Sequence, residues 1–492
     1  MSEIQISDYD VLIIGAGLSG IGAAVHLTRE CPDKTIAILE ARDRLGGTWD
    51  LFTYPGVRSD SDMHTLGFRF KPWEAEKAIA DGPSILSYLK ETAREYNIEA
   101  LIKYRHKMVR AAWSSADSRW TVTLQTGEVL RCNFLFMCSG YYNYDAGYTP
   151  EFKGMDSFKG EIIHPQLWKD DTAYAGKNVI IIGSGATAVT LVPAMAGQTQ
   201  SITMLQRSPG YMVARPAKDS SANRLRKYLP KHWAYAITRF KNVRFQSLLY
   251  KFTQAKPKWA KSMLLGHTQK VLGKDFDLSA DFTPRYYPWD ERLCLVPDGD
   301  FFDAVKSGSA DVKTGHIDQF EAGGIRLQSG ELLPADMIVT ATGLDVQVFG
   351  GAAFEVDGQL VDFSKTFSYE GMMFSGVPNM VNIFGYVNAS WTLRVDIVGD
   401  WVCRLLGFMA DNSVTKAVAI APPGMVIRPW FDFLPGYIRR ADALLPRQGD
   451  QEPWLHAQDY LRDKRVLKSR PIDDGVLQFS AADIPSAPRN KT

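Results

Sequence analysis

The chain has 492 residues, 45% of them apolar and 23% charged, with a formal net charge of +1. That length exceeds what one hydrophobic core usually organises, so two or more domains are expected, while the balanced charge gives no sign of a nucleic-acid binder or an acidic tail and by itself decides nothing. The five cysteines, Cys31, Cys132, Cys138, Cys294 and Cys403, form no CxxC or CxxxxC pair, which argues against a cysteine metal site or a redox disulfide and suits a reducing cytoplasm.

The chain opens on acidic and polar residues, so no signal peptide is expected. Val11 to Gly20 then spells an apolar strand running into Gly15-Ala16-Gly17-Leu18-Ser19-Gly20, followed by the helix-like stretch Ile21 to Glu30. This is the GxGxxG order of a dinucleotide site. The first glycine allows a tight turn, the second lets backbone approach a pyrophosphate, and the third lets the helix pack on the strand with its N-terminal amides aimed at phosphate. The next strand, Thr35 to Leu39, ends in Glu40, twenty residues past the last glycine, where a carboxylate can accept from a ribose 2'-hydroxyl.

The unit recurs as Val179 to Ile182, Gly183-Ser184-Gly185-Ala186-Thr187-Ala188, a helix-like run, and a strand Ser201 to Leu205. Although uncharged from Val179 to about Ala196, this stretch is broken by Gly183, Gly185 and Pro193, so it is read as strand, turn and helix and not as a membrane span. Here Gln206, Arg207 and Ser208 stand where the acid would be, and a guanidinium pairs with the 2'-phosphate that a carboxylate repels. The first unit is therefore assigned to FAD and the second to NADPH. Arg207 could otherwise be a plain exposed arginine at a strand end.

Each unit is followed by a hairpin-like segment, Trp120 to Arg131 and Ile325 to Leu332, and then by an apolar strand ending in a small-residue turn, Ser139-Gly140 or Ala341-Thr342-Gly343. This repetition predicts an α/β protein of two Rossmann-like dinucleotide-binding domains, the second inserted in the first, with a helical insertion. The expected division is an FAD-binding domain over 1–145 that resumes over 344–492, an NADP-binding domain over 146–215 that resumes over 285–343, and a basic helical insertion over 216–284. The tail from about Ala482 is polar and proline-containing and is expected to be loosely ordered.

Between Ser220 and Lys274 lie thirteen Lys or Arg and no Asp or Glu, interleaved with Trp233, Tyr235, Phe240, Phe245, Tyr250, Phe252 and Trp259. Two readings fit. A helix lying in an anionic membrane surface would place the protein peripherally at the inner membrane face. Alternatively, the aromatics face the core while the cations face water or the cofactor phosphates. No base-reading motif accompanies the charge, so nucleic acid is not an expected partner.

Two further segments carry a family resemblance. Phe158-Lys159-Gly160-Glu161-Ile162-Ile163-His164-Pro165-Gln166-Leu167-Trp168 resembles the FxGxxxHxxxW signature of type I Baeyer-Villiger flavin monooxygenases, and Gly46-Gly47-Thr48-Trp49 through Tyr54-Pro55-Gly56 to Asp60 is similar to that family's GGxWxxxxYPGxxxD motif. Tyr141 to Tyr144, Pro288 to Pro297 and Asn388 to Leu393 look closest to the bacterial ethionamide-activating monooxygenases. The likeness runs through nearly the whole chain. One departure is Lys169, where the family usually has Pro or Asp after the signature tryptophan. Monooxygenases restricted to nitrogen or sulfur tend to carry HSxxY where this chain has His164 to Trp168, so Trp168 favours the Baeyer-Villiger side.

The resemblance implies that FAD, NADPH and O2 convert small hydrophobic ketones to esters or lactones, and thioethers or thioamides to sulfoxides, through a C4a-peroxyflavin. It implies a catalytic cation at Arg292, which could otherwise be a structural ion pair with Asp290 or Glu291. Asp60 is implied beside the flavin and that arginine, with a helix N-cap as its alternative. Phe158, Gly160, His164 and Trp168 are implied to form a linker on which the domains hinge, with His164 hydrogen-bonded and not a general base. Gly47, Thr48, Trp49 and Val109 join the glycine loops as expected FAD contacts, and Ala186, Thr187, Ser208, Thr342 and Gly343 as expected dinucleotide contacts. Trp391 is placed in the substrate or nicotinamide pocket, or else in the core. Two rival functions remain, a flavin monooxygenase restricted to N- or S-oxygenation and a flavin-bearing redox sensor or interaction protein. A disulfide reductase of similar architecture lacks support because CxxxxC is missing.

Overall fold

The apolar run at Val11 becomes the strand Ser7–Ile14, pairing in parallel with Ile36–Glu40 on one side and Val129–Met137 on the other in a computed structural model that describes residues 7–291, 293–431 and 436–481. Because a parallel strand is covered on both faces, Val11, Leu12, Ile13 and Ile14 are all buried. The strand turns at Gly15 with φ +105°, where a Cβ would lie 2.6 Å from the Cys138 carbonyl oxygen. Only glycine fits there. The helix Leu18–Glu30 follows, and at Gly20 a Cβ would come within 1.8 Å of the Gly15 oxygen, so the absent side chain sets how closely helix meets strand.

The strands Met108–Ser114, Arg119–Leu124 and Val129–Met137 form an antiparallel meander that extends this sheet. After the second unit the chain returns to it, with Ala353–Val356 beside Met108–Ser114 and Met380–Asn382 beside Val129–Met137. The helix Trp391–Asp411 then packs across Leu18–Glu30. Contact is close because Gly22 faces Val395 and Gly399 faces His26, each at a distance that a methyl group would violate.

The second sheet lies wholly between these two passages of chain. Five parallel strands run in the order Asp311–Thr314, Ser201–Gln206, Asn178–Ile182, Met337–Thr340, Glu161–Ile163. The uncharged stretch from Val179 is the strand, glycine turn and helix Ala186–Met195 expected of it, and among the described residues no helix is long and apolar enough to cross a membrane. The two hairpin-like segments differ in fate. The first merges into the main sheet, whereas Ile317–Glu321, Gly324–Leu327 and Leu332–Pro334 make a separate three-stranded sheet.

The basic segment is helical, as Ser220–Tyr228, Lys231–Ala255 and Pro257–Leu272. The reading that its aromatics face the core does not hold: Tyr235 is buried, but Trp233, Phe240, Phe245, Phe252 and Trp259 are exposed. Nor do its cations reach the cofactor phosphates, since among the described residues none from this segment lines the large cavity between the two glycine loops.

Candidate functional site

Both glycine loops open onto one cavity of about 1290 Å³. In the first, Gly17 precedes the helix Leu18–Glu30 without any side-chain cap, so the first-turn amides are left for a ligand, as an anion site at a helix N-terminus requires. Gly185 stands in the same relation to Ala186–Met195, and a Cβ there would meet nothing within 4 Å. Gly15, Gly17 and Ser19, with Gly183, Gly185, Ala186 and Thr187, therefore lie on the wall, while Gly20 serves packing.

Glu40, at the end of its strand, accepts from the Ala16 amide at 2.7 Å through Oε2 and from the Arg42 amide at 2.9 Å through Oε1. Burial raises its pKa above the ordinary carboxylate value against these donors, and its remaining lone pairs face the cavity where a ribose hydroxyl can donate. Across the cavity, Arg207 is exposed at the end of Ser201–Gln206, beside Ser208, and makes no ion pair among the described residues. A guanidinium held this way is available to a phosphate.

Gly47, Thr48 and Trp49 complete the first half of the wall, with Gly47 at φ +57° and the Thr48 hydroxyl 2.6 Å from the Tyr142 hydroxyl. Buried Ser139 Oγ, also on the wall, has no hydrogen-bond partner among the described residues, which fits a polar ligand lying against it. The donors, the glycine cradles and the volume suit dinucleotides. The Tyr54-Pro55-Gly56 turn leaves this half and packs on the helix Ala186–Met195, where Gly56 would set a Cβ 2.7 Å from that of Ala194. Arg58 then pairs with Asp300, joining the two units.

Asp60 lies exposed on the cavity wall. Its N-cap alternative fails, because Asp62 caps the helix Met63–Leu66 by accepting from the Thr65 amide. Arg292 falls outside the described residues; Glu291 and Cys294, which flank it, line the cavity.

Of Phe158, Gly160, His164 and Trp168, His164 alone lines the cavity. Its Nδ1 accepts from the Gln166 amide at 3.1 Å, so Nε2 carries the hydrogen and donates to the Gly343 carbonyl oxygen at 3.1 Å. Burial lowers its pKa, with the Gly343 carbonyl opposing, and the ring is a neutral clasp between the strand exits of Glu161–Ile163 and Met337–Thr340. Phe158 and Trp168 are buried in the packing around the second sheet, and Gly160 allows Asp336 backbone to pass where a Cβ would lie 2.1 Å from its oxygen. Thr342 and Gly343 line the cavity.

Trp391 also lines the cavity, stacked on Tyr141 with ring centroids 5.6 Å apart. Val109 does not. It sits at the register shift between Met108 and Arg110, which turns it outward at 38% exposure, and Lys107 and Met108 meet the cavity instead. Among the wall residues that the sequence did not point to are Arg42, Arg440 and Tyr437. Arg42 bonds Asp50 at 2.7 Å and could have been found from its place two residues past Glu40. Arg440, 3.5 Å above the Tyr148 ring, and Tyr437 come from a distant helix with no local signal.

Known proteins agree with this geometry. The family described as pyridine nucleotide-disulphide oxidoreductase matches residues 12–256. The chain is 52% identical over 482 residues to the FAD-containing monooxygenase EthA of Mycobacterium tuberculosis, covering 97% of this chain and 98% of that protein. It is 49% identical over 477 residues to EthA of Mycolicibacterium smegmatis, covering 96% and 97%. Among solved structures it resembles a steroid monooxygenase bound to NADP, with TM-score 0.76 and 21% identity over 96% of this chain and 100% of that one. A cyclohexanone-bound cyclohexanone monooxygenase matches with TM-score 0.75 and 20% identity over 97% and 100%. At such identities the last two likenesses are of fold.

Proposed function

Because the chain belongs to the FAD-containing monooxygenases, we propose that it uses NADPH and O2 to oxidise small hydrophobic ketones to esters or lactones in the Baeyer-Villiger manner, and organosulfur compounds to sulfoxides. The observation that carries this reading is a single cavity walled by a Glu40-ended unit, an Arg207-ended unit and the signature histidine. Bound FAD supplies the activation of O2.

The protein binds, orients and stabilises. Glu40 accepts the ribose hydroxyl of FAD, and the amides after Gly17 hold its pyrophosphate. Arg207 and Ser208 would select NADPH by its 2'-phosphate, and Gly185 and Thr187 would help hold its pyrophosphate. Arg292 is the cation for charge developing on oxygen, a kind of stabilisation worth about 3 to 4 kcal/mol of barrier, and Asp60 balances it. His164, bonded to Gly343, is the hinge clasp through which Phe158, Gly160 and Trp168 transmit movement between the two units.

The test is product analysis with isotopically labelled O2. Purified, FAD-loaded protein is given NADPH and either a ketone or a thioether, as wild type and Arg292→Ala. Labelled ester formed by wild type and reduced at least a hundredfold in Arg292→Ala supports the reading. Sulfoxide without ester replaces it with an oxygenase restricted to sulfur or nitrogen, and NADPH oxidation indifferent to every organic substrate replaces it with a redox sensor.

A further inference from the structure

The helix Lys231–Ala255 presents two different faces. Buried Tyr235, Thr238, Arg239 and Val243 recur on one of them. Arg239 anchors that face by donating to Asp396 Oδ2 at 2.8 Å and to the Gly67 carbonyl at 2.6 Å. At spacings of three, four and eight residues on the opposite face stand Trp233, Ile237, Phe240, Leu248 and Phe252, exposed by 68, 43, 60, 68 and 46%. Phe252 meets Trp259 edge-on at 5.0 Å, carrying the apolar stripe on to the helix Pro257–Leu272, where Met263 is exposed as well. A continuous apolar patch of this kind marks an interaction surface.

Charge indicates what covers it. The segment from Ser220 to Lys274 has thirteen cations and no acid. Some are used internally, such as Lys231 with Glu74, Lys241 with Asp219 and Lys251 with Asp459. Arg224, Lys227, Arg244, Lys256 and Lys258 make no ion pair among the described residues, and Arg244 lies 4.3 Å over the outward ring of Phe240. A second copy of the chain, docked about a twofold axis, would set these cations against their own images. An anionic bilayer surface takes both parts of the patch at once, with indole and phenyl rings at headgroup level and ammonium and guanidinium groups against lipid phosphate.

We propose that this outward face seats the protein on an anionic lipid surface, as a peripheral contact with no spanning segment. Full-length, FAD-loaded protein is sedimented with phosphatidylcholine vesicles, with and without phosphatidylglycerol. Wild type is expected to bind the phosphatidylglycerol vesicles and to be released at about 1 M salt, where the Debye length is about 3 Å. Lys256→Glu with Lys258→Glu should weaken binding at least fivefold per site. Trp233→Ser, Phe240→Ser and Leu248→Ser together should abolish it. These positions are solvent-facing, and unchanged FAD content in each variant confirms the fold. The proposal is overturned if wild type stays in the supernatant with both vesicles, if the triple variant binds as wild type does, or if wild type is a dimer that the triple variant converts to monomer. None of these readouts uses turnover, so they stand apart from the assignment of the reaction.

Discussion

The Trp391 indole Nε1 donates to Ser19 Oγ at 2.7 Å, tying the first turn of the helix Trp391–Asp411 to the first glycine loop across 372 positions of sequence. Trp391→Phe keeps an aromatic ring, smaller than the indole, and removes the donor. It should cost about 1 kcal/mol of stability and speed FAD loss, measured by thermal unfolding and by flavin fluorescence after dilution. Equal FAD release in variant and wild type would show that the loop is held without this bond.

The glycines of the two loops should respond differently to a methyl group. Gly20→Ala drives its Cβ to 1.8 Å from the Gly15 oxygen, so we expect a loss of about 3 kcal/mol and protein purified without flavin. Gly185→Ala meets nothing within 4 Å. Its unfolding should stay within about 0.5 kcal/mol of wild type while the KM for NADPH rises.

Arg207→Gln removes the guanidinium from the end of its strand. The KM for NADPH should increase about 10- to 100-fold, the value of a charge-assisted phosphate contact, with KM for NADH unchanged. Steady-state kinetics with both coenzymes checks this, and a parallel rise for NADH would place Arg207 outside 2'-phosphate recognition.

A pH dependence of stability should centre on His26. Burial alone lowers its pKa, but Asp396, Asp400 and Glu30 together raise it to about 10. Burial likewise opposes ionisation of Asp400, yet His26 and Arg69 hold its carboxyl below the usual range. A raised folded-state pKa means that the contribution of His26 is complete below its unfolded value of about 6.5 and disappears as pH rises through about 10. Denaturation midpoints should therefore fall between pH 7 and 10. In His26→Gln the fall should flatten, with about 1 to 3 kcal/mol lost at pH 7, because Asp396 and Asp400 lose one cation while keeping Arg239 and Arg69.

How much of this molecule is legible in one dimension depends on how local the constraint is. Gly15, Gly17 and Gly20 show themselves because the turn, the phosphate approach and the helix packing all act within a few residues. Arg207 is legible because its strand brings it to the same end as Glu40 in a repeated unit. Val109 was misplaced by a bulge, a one-residue shift that exchanges the two faces of a strand and leaves little trace in composition. The aromatics of the basic segment stay open between two readings for a related reason. Helical spacing marks a stripe as apolar without saying whether a neighbour covers it.

By itself, the sequence determined the two glycine-loop units and the nesting of the second between the two passages of the first, because the turns follow from short-range steric requirements and the nesting from the order of the repeats. Only the tertiary structure decided that both loops open onto one cavity, that Trp391 reaches back to Ser19, that His164 and not Phe158, Gly160 or Trp168 touches the site, and that the face carrying Phe240 points to solvent. These depend on distances between residues hundreds of positions apart, which are set by packing between elements and not by the chemistry of any one segment.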